Sequence, residues 1–242
     1  MKKIRLSQET LKVIACMTML LDHVGAVIVP ELYNVYPHDV WFDVYTLLRT
    51  LGRLAFPIYC FLLAEGAYYT RSRKGYGIRL AIGLLMSEIP FDLLFFGELT
   101  FAHQSVMVTL LLGYLYAVSM NYMPVQGYRI LLLLPFALLA EVLHADYGGW
   151  GVAMIGLFVI TRESHGKYWV QALGLGVIAW MIGGMTVAIG PAFVPIQLFS
   201  VVAMLPIVLY DGSKRTNNIW VRRGFYLFYP VHLAILYLFV RL

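Results

Sequence analysis

The stretch Leu51–Leu93 reads GRLAFPIYCFLLAEG from Gly52 to Gly66, YTR from Tyr69 to Arg71, and SEIPFDL from Ser87 to Leu93. This pattern predicts two membrane-spanning helices that are joined by a short, positively charged loop. Several charged residues lie within or just before its apolar runs: Arg49, Arg53, Glu65, Glu88 and Asp92. Because an ion in hydrocarbon costs a few kcal/mol or more, such residues usually persist where they are paired and useful.

The composition indicates an integral membrane protein. Of the 242 residues, 61% are hydrophobic and only 13% are charged, whereas about a quarter of a soluble domain is charged. The net charge of +5 comes from short clusters between apolar runs, so it does not form the basic face that binds nucleic acid. The only two cysteines, Cys16 and Cys60, provide neither a disulfide framework nor a zinc spacing.

Hydropathy predicts an all-α, polytopic protein with about nine spans in one domain that covers residues 1–242. The spans are expected at roughly 11–29, 41–64, 77–96, 105–121, 128–144, 148–161, 168–189, 192–210 and 224–240. The first run has no cleavage site for a signal peptidase, so it is expected to remain as a span. Pro135, Pro195 and Pro206 are expected to kink their helices rather than end them.

The distribution of basic residues predicts the orientation. If the N-terminus is cytoplasmic, 15 of the 18 lysines and arginines fall on the inner side, counting Lys12 at the first boundary. Positive charge is normally retained on the cytoplasmic side of a membrane. This separation requires an odd number of spans. The protein is expected to be a multi-pass protein of the inner (cytoplasmic) membrane.

Lys12 and His23 are separated by close to three helical turns, so they lie on one face of the helix, about 16 Å apart along its axis. Lys12 is expected at the inner boundary and His23 near the midplane, with Asp22 on a neighbouring face. Arg53, Glu88 and His232 are expected at a similar depth. This predicts a buried polar cluster between the first, second, third and ninth spans, although a lone histidine in a span often only bonds two helices together.

The other charges have structural interpretations as well as functional ones. Arg49 and Arg53, like Glu88 and Asp92, are spaced four residues apart and so stack on one helix face. They could be buried ion pairs, which is the favoured interpretation for Asp92. Glu65 is expected to face the basic loop. That loop contains Arg71, Arg73, Lys74 and Arg79, and it serves either as a topology signal or as a docking surface for a phosphorylated cytoplasmic molecule.

The motifs resemble those of the TraX family over nearly the whole chain. The matching segments are LDHVGA (Leu21–Ala26), GRLAFPIYCFLLAEG, YTR, SEIPFDL, VTLLLG (Val108–Gly113) and FYLFYPVHL (Phe225–Leu233). The best-known member of the family is a conjugative-pilin N-acetyltransferase. The family is in turn similar to the membrane acyltransferases that modify surface polysaccharides. In those enzymes, the first span contains a basic residue that is followed, after ten intervening positions, by a histidine. Lys12 and His23 match that pattern, and AEG (Ala64–Gly66) with Arg71 resembles a second, looser motif.

The resemblance implies acetyl transfer from cytoplasmic acetyl-CoA, used as a co-substrate without a metal. Lys12, Arg71, Arg73, Lys74 and Arg79 would bind the CoA phosphates. His23 would be the general base, with Asp22 or Glu88 setting its tautomer and Arg53 stabilising the oxyanion. Arg49, Glu65, Asp92 and His232 are candidates of second rank. The partners would be acetyl-CoA, membrane lipids and an envelope protein or glycan acceptor.

Two other functions remain open at this stage. Intramembrane Asp, Glu and His residues also form the relays of proton-coupled transporters, although the predicted spans do not divide into two matching halves. A non-enzymatic assembly factor would use the ions only to hold helices together, and it would not bind acetyl-CoA.

Overall fold

The computed structural model describes residues 5–122, 126–214, 216 and 218–241. Lys2, Lys3 and Arg215, which contribute to the charge argument for orientation, lie outside these residues. The described helices are α1 (Gln8–Val35), α2 (Val40–Gly52), α3 (Ala55–Tyr69), α4 (Arg73–Phe95), α5 (Val106–Ser119), α6 (Gln126–Leu131), α7 (Leu133–Val142), α8 (Gly148–Thr161), α9 (Lys167–Ile182), α10 (Met204–Val208) and α11 (Ile219–Arg241).

Three stretches in the described part of the chain are long and apolar enough to cross a membrane: Gln8–Val35, Val40–Tyr69 and Ile219–Arg241. Four shorter apolar helical stretches accompany them, at Val106–Ser119, Gly148–Thr161, Lys167–Ile182 and Ile196–Val208. The chain is therefore a mostly helical membrane protein. The number of about nine spans and the cytoplasmic N-terminus stay predictions.

The span predicted at 41–64 is two helices with a break at Arg53 and Leu54. Pro57 explains the break, because proline has no N–H for the carbonyl four residues earlier and its ring crowds that carbonyl. The amides of Arg53 and Leu54 instead form tighter bonds to Thr50 and Leu51, at 3.2 and 3.3 Å. The break brings the arginine-bearing end of α2 next to α1.

A close approach of α1 and α2 depends on glycine. A Cβ atom added at Gly25 would lie 2.9 Å from Cβ of Leu48, and one added at Gly52 would overlap the side chain of Asp22. Since real Cβ atoms do not approach neighbours this closely, both positions require the absence of a side chain. Asp22 is thereby held directly against the end of α2.

The C-terminal half differs from the all-α prediction. The helix predicted at 168–189 ends at Ile182, where Gly183 and Gly184 adopt positive φ angles of 65° and 88°. A two-stranded antiparallel hairpin follows, β1 (Thr186–Ile189) and β2 (Ala192–Pro195). The span predicted at 192–210 is therefore strand β2, a 3₁₀-helix (Ile196–Ala203) and the short α10. Left-handed glycines end the helix, since they permit a reversal that other residues resist.

The helices pack around an apolar core. α1 contacts α2, α3 and α11; α4 contacts α5 and α11; and α8 contacts α3, α5, α7 and α9. Fully buried side chains at its centre include Leu11, Ile58, Met154, Ile155 and Leu233. The outer surface is also apolar, with Leu85, Leu173 and Phe239 more than 70% exposed. Such a surface suits lipid, which is as apolar as leucine.

Candidate functional site

A cavity of about 1080 Å³ lies between α1, α3, α4, α5 and α11. One end is lined by basic side chains from the helices α1, α4 and α11 and from the segments that precede α4 and α11. The other end is lined by Asp22, His23, Asp146 and Tyr147. The cavity thus connects the two groups of residues that the sequence singled out, Lys12 at one end and His23 at the other.

The basic end contains two residues that the sequence analysis did not assign to it. Lys12, Arg71 and Arg79, which the resemblance assigned to the CoA phosphates, line this end, and Lys214 and Arg222 join them. Lys214 and Arg222 looked only like topology signals, because their sequence position does not reveal that α11 packs beside α1. Glu9, Glu65 and Asp211 also line this end. Arg73 and Lys74 are exposed in the first turn of α4 and do not line the cavity.

His23 is paired with His232 of α11. Nδ1 of His23 lies 2.6 Å from Nε2 of His232, and the two rings are nearly parallel, 4.9 Å apart between centroids. His232 is 5% exposed. Phe95 and Tyr229 complete an aromatic surround, with centroids 5.7 and 6.1 Å from that of His23. The predicted convergence of the first and last spans is present in this contact.

The hydrogen bonds define the tautomers of the pair. Nδ1 of His232 lies 2.7 Å from the carbonyl oxygen of Phe228, and a carbonyl can only accept, so Nδ1 of His232 carries its proton. Nε2 of neutral His232 is then an acceptor, and His23 donates to it from Nδ1. Neutral His23 is left with an unprotonated Nε2, the form that a general base requires.

Asp22 does not orient His23, in contrast to the sequence-based hypothesis. Its carboxylate pairs with Nη1 of Arg49 at 2.6 Å and with Nη2 of Arg53. Arg53 also donates from Nε to the Arg49 carbonyl at 3.1 Å, and from Nη1 to Gln197 at 3.2 Å and to the Tyr147 hydroxyl at 3.3 Å. Arg53 does not itself line the cavity. Removing one member of such a buried group leaves an uncompensated charge, which is strongly destabilising.

Glu88 and Asp92 bind backbone and hydroxyl groups near the start of α5. Glu88 accepts the hydroxyl of Ser105 at 2.6 Å and its amide at 3.3 Å, so it supports the N-cap of α5 rather than His23. Asp92 is 6% exposed and accepts the amide of Thr100 at 3.0 Å. Neither residue lines the cavity. In the described part of the chain, Asp92 contacts the loop before α5 instead of forming the predicted ion pair.

Glu65 lies at the basic end of the cavity, but its partner is not the predicted loop. It accepts Nε of Arg162 at 2.8 Å, and this bond joins the ends of α3 and α8. The guanidinium of Arg162 also lies 3.5 Å from the ring centroid of Tyr68. This contact is a charge-assisted hydrogen bond combined with cation–π stacking.

The loop between α7 and α8 supplies two cavity residues that sequence reasoning missed, Asp146 and Tyr147. Burial raises the pKa of Asp146, against the opposing effects of His103 and Arg53. Burial also raises the pKa of Tyr147 to about 12, although Arg53 acts in the other direction. The sequence ADYGGWG (Ala145–Gly151) marked a polar turn, yet nothing in it placed the turn beside Arg53.

Comparison with known proteins gives one family and one curated relative. The family model described as "TraX protein" matches residues 7–240. A protein of Dichelobacter nodosus named "Probable fimbrial assembly protein FimC, serogroup H1" is 30% identical over 252 residues, which cover 97% of this chain and 96% of the relative. No solved structure matches the chain significantly.

Proposed function

The chain belongs to the TraX family, and we propose that it is a membrane acetyltransferase. It would move an acetyl group from cytoplasmic acetyl-CoA to an amine or hydroxyl of an envelope acceptor, such as the N-terminal amine of a pilin-like protein or a glycan. The printed name of the relative, a probable fimbrial assembly protein, supports a role in pilus assembly. We place the protein in the inner membrane as a multi-pass protein.

The observation that carries the proposal is one continuous cavity that joins a basic end to His23. Acetyl-CoA has a phosphate-rich nucleotide, a long pantetheine arm and a reactive thioester at the far end. The phosphates would bind Lys12, Arg71, Arg79, Lys214 and Arg222 as charge-assisted pairs. The arm would cover the depth of about 16 Å between Lys12 and His23 on α1.

The proposed function also requires one orientation of the protein in the membrane. Acetyl-CoA is a cytoplasmic molecule that cannot cross the bilayer, so the basic end of the cavity would open to the cytoplasm. The positive-inside rule favours the same orientation. Arg73 and Lys74, which do not line the cavity, would then act only as topology signals.

His23 would act as the general base. Its unprotonated Nε2 would take a proton from the acceptor amine or hydroxyl while the acceptor attacks the thioester carbonyl carbon. The new C–N or C–O bond forms and the carbonyl electrons move to oxygen. When the carbonyl reforms, the C–S bond breaks, and the CoA thiolate takes the proton from the His23 imidazolium. No metal is needed for this sequence of steps.

A second candidate function is a non-enzymatic assembly factor, because the printed name of the relative describes assembly rather than catalysis. The Asp22–Arg49–Arg53 group would then serve only to hold α1 against α2. The two functions differ in one simple property, since an assembly factor does not need to bind acetyl-CoA.

Incubation of the purified protein in detergent with labelled acetyl-CoA and a cell-envelope fraction tests the proposal. Mass spectrometry of the products should show an acetylated envelope molecule. The matched control is His23→Gln, which should bind acetyl-CoA and transfer little. Failure of the wild-type protein both to bind acetyl-CoA and to form a product would favour the assembly factor.

A further inference from the structure

Tyr147 has a backbone conformation that a tyrosine rarely adopts. Its φ angle is 62°, and His144 nearby has a φ angle of 49°. A left-handed conformation is unfavourable for a residue with a bulky side chain. Such strain persists only where the surrounding structure imposes it, and it is concentrated at active sites. The position of the Tyr147 side chain is therefore imposed by its neighbours.

The neighbours that impose it are backbone and side-chain contacts on both sides of the residue. Gln104 bridges the loop by accepting the amide of Asp146 at 2.9 Å and donating to the carbonyl of His144 at 3.0 Å. The Thr109 hydroxyl donates to the carbonyl of Asp146. The Tyr147 ring stacks on Phe56, 4.1 Å apart between centroids and 14° from parallel. The hydroxyl is thus held in a fixed place at the cavity wall.

The hydroxyl oxygen of Tyr147 accepts a bond from Nη1 of Arg53 at 3.3 Å. A tyrosine hydroxyl has one proton to donate as well as lone pairs to accept. Among the described residues, no acceptor takes that proton. Since Tyr147 lines the same cavity end as His23, the proton is available to a molecule in the cavity. The cationic Arg53 withdraws electron density from the oxygen and so strengthens the hydroxyl as a donor.

We propose that Tyr147 is a catalytic residue that donates its hydroxyl proton in a hydrogen bond to the carbonyl oxygen of the acetyl thioester. The inference rests on the proposed acetyl transfer. As the acceptor attacks, the carbonyl oxygen gains the electron pair of the C=O bond and becomes an oxyanion, and the bond from Tyr147 strengthens. The pair returns when the C–S bond breaks, so Tyr147 keeps its proton throughout. Arg53, which the sequence analysis assigned to the oxyanion, is instead a positioning residue behind Tyr147.

The substitution Tyr147→Phe tests the proposal, because it keeps the ring that stacks on Phe56 and removes only the hydroxyl. Loss of one oxyanion donor typically lowers kcat by about 10²–10³-fold. We expect that loss with acetyl-CoA affinity unchanged, since the phosphates bind at the other end of the cavity. The matched control is Tyr114→Phe, because Tyr114 is 2% exposed and donates to the Arg73 carbonyl at 2.7 Å, away from His23. The control should retain wild-type kcat.

The probes are acetyl-CoA and the cell-envelope fraction, with the full-length protein in detergent. A Tyr147→Phe protein with wild-type kcat, or with the same loss as Tyr114→Phe, overturns the assignment while the acetyltransferase function stands. A wild-type protein without any transfer removes both proposals.

A second variant covers the case in which Tyr147→Phe does not fold. A ring-fluorinated tyrosine at position 147 keeps the hydroxyl but loses its proton at lower pH. Because a phenolate cannot donate, the rate should fall at a lower pH than in the wild type. A merely structural role would leave the pH profile unmoved, and that result would overturn the proposal.

Discussion

Replacing His232 with Leu removes the acceptor that holds the proton of His23 on Nδ1. The variant should still fold, because Leu fills a site that is already lined by Phe228 and Tyr229. His23 lines the cavity, and under the proposed mechanism it would still act as the base in this variant. The transfer rate should therefore fall, but far less than on replacement of His23 itself.

The size of the effect follows from the 2.6 Å bond between the two rings. In the ground state both histidines are neutral, and a neutral hydrogen bond contributes about 0.5–1.5 kcal/mol. When His23 takes the proton it becomes an imidazolium, and the same bond becomes charge-assisted, at about 1.5–3 kcal/mol. The difference of about 1 kcal/mol predicts a rate loss of roughly fivefold for His232→Leu. His23→Gln removes proton transfer and should cost about 10²–10⁴-fold.

The assay compares kcat for acetyl transfer in wild type, His23→Gln and His232→Leu, with binding of labelled acetyl-CoA measured in parallel. The control is His165→Leu, which changes an exposed histidine between α8 and α9 and should be silent. If His232→Leu abolishes transfer and His23→Gln does not, the base has been assigned to the wrong helix. If neither variant slows transfer, histidine base catalysis is refuted.

The other predictions concern binding, packing and topology. Arg79→Ala should weaken acetyl-CoA binding by roughly tenfold or more, which corresponds to the loss of one charge-assisted contact. Arg73 does not line the cavity, so Arg73→Ala should leave the affinity unchanged. Equilibrium binding of labelled acetyl-CoA measures both. Gly52→Ala should lower the thermal unfolding temperature, because the added Cβ would overlap the carboxylate of Asp22 on α1 and overpacking costs about 1–3 kcal/mol. The control is Gly224→Ala, where an added Cβ meets nothing within 4 Å. An unchanged unfolding temperature for Gly52→Ala, or an equal decrease for Gly224→Ala, would refute the close packing of α1 and α2. Cysteine placed at Ser72 should react with a membrane-impermeant thiol reagent only from the cytoplasmic side, and labelling of intact cells would reverse the proposed orientation.

Helical periodicity was sufficient to place Lys12 and His23 on one face of the first helix, but not to predict the other residues that line the cavity. The spacing of Lys12 and His23 depends only on the rise and turn of one helix, and both residues line the cavity. The high hydrophobic content and the small number of charged residues likewise predicted a membrane protein. Local chemistry could also have predicted the breaks, because Pro57 and the Gly183–Gly184 pair were visible in the sequence. Hydropathy alone does not show these breaks, because the apolar runs continue through them.

The partners of the charged residues could not be predicted in the same way. Asp22 meets Arg53 across 31 residues, and Arg53 meets Tyr147 across 94. Such contacts depend on which helices pack together and at what rotation, and depth along a helix axis does not determine this. Glu88 illustrates the difficulty, since it has the depth expected of a His23 partner but binds Ser105.

The hairpin of β1 and β2 limits how deep this part of the chain can lie in the bilayer. A two-stranded sheet has two open edges whose amides and carbonyls lack partners, and each such group in hydrocarbon costs several kcal/mol. We therefore expect the hairpin outside the hydrocarbon, at the level of the lipid headgroups, with Phe193 and Ile189 exposed on its surface. Gln197 follows the hairpin by two residues and already bonds Arg53. Under the proposed function, an acceptor would therefore reach His23 from the side of the hairpin, and acetyl-CoA would enter from the basic end of the cavity.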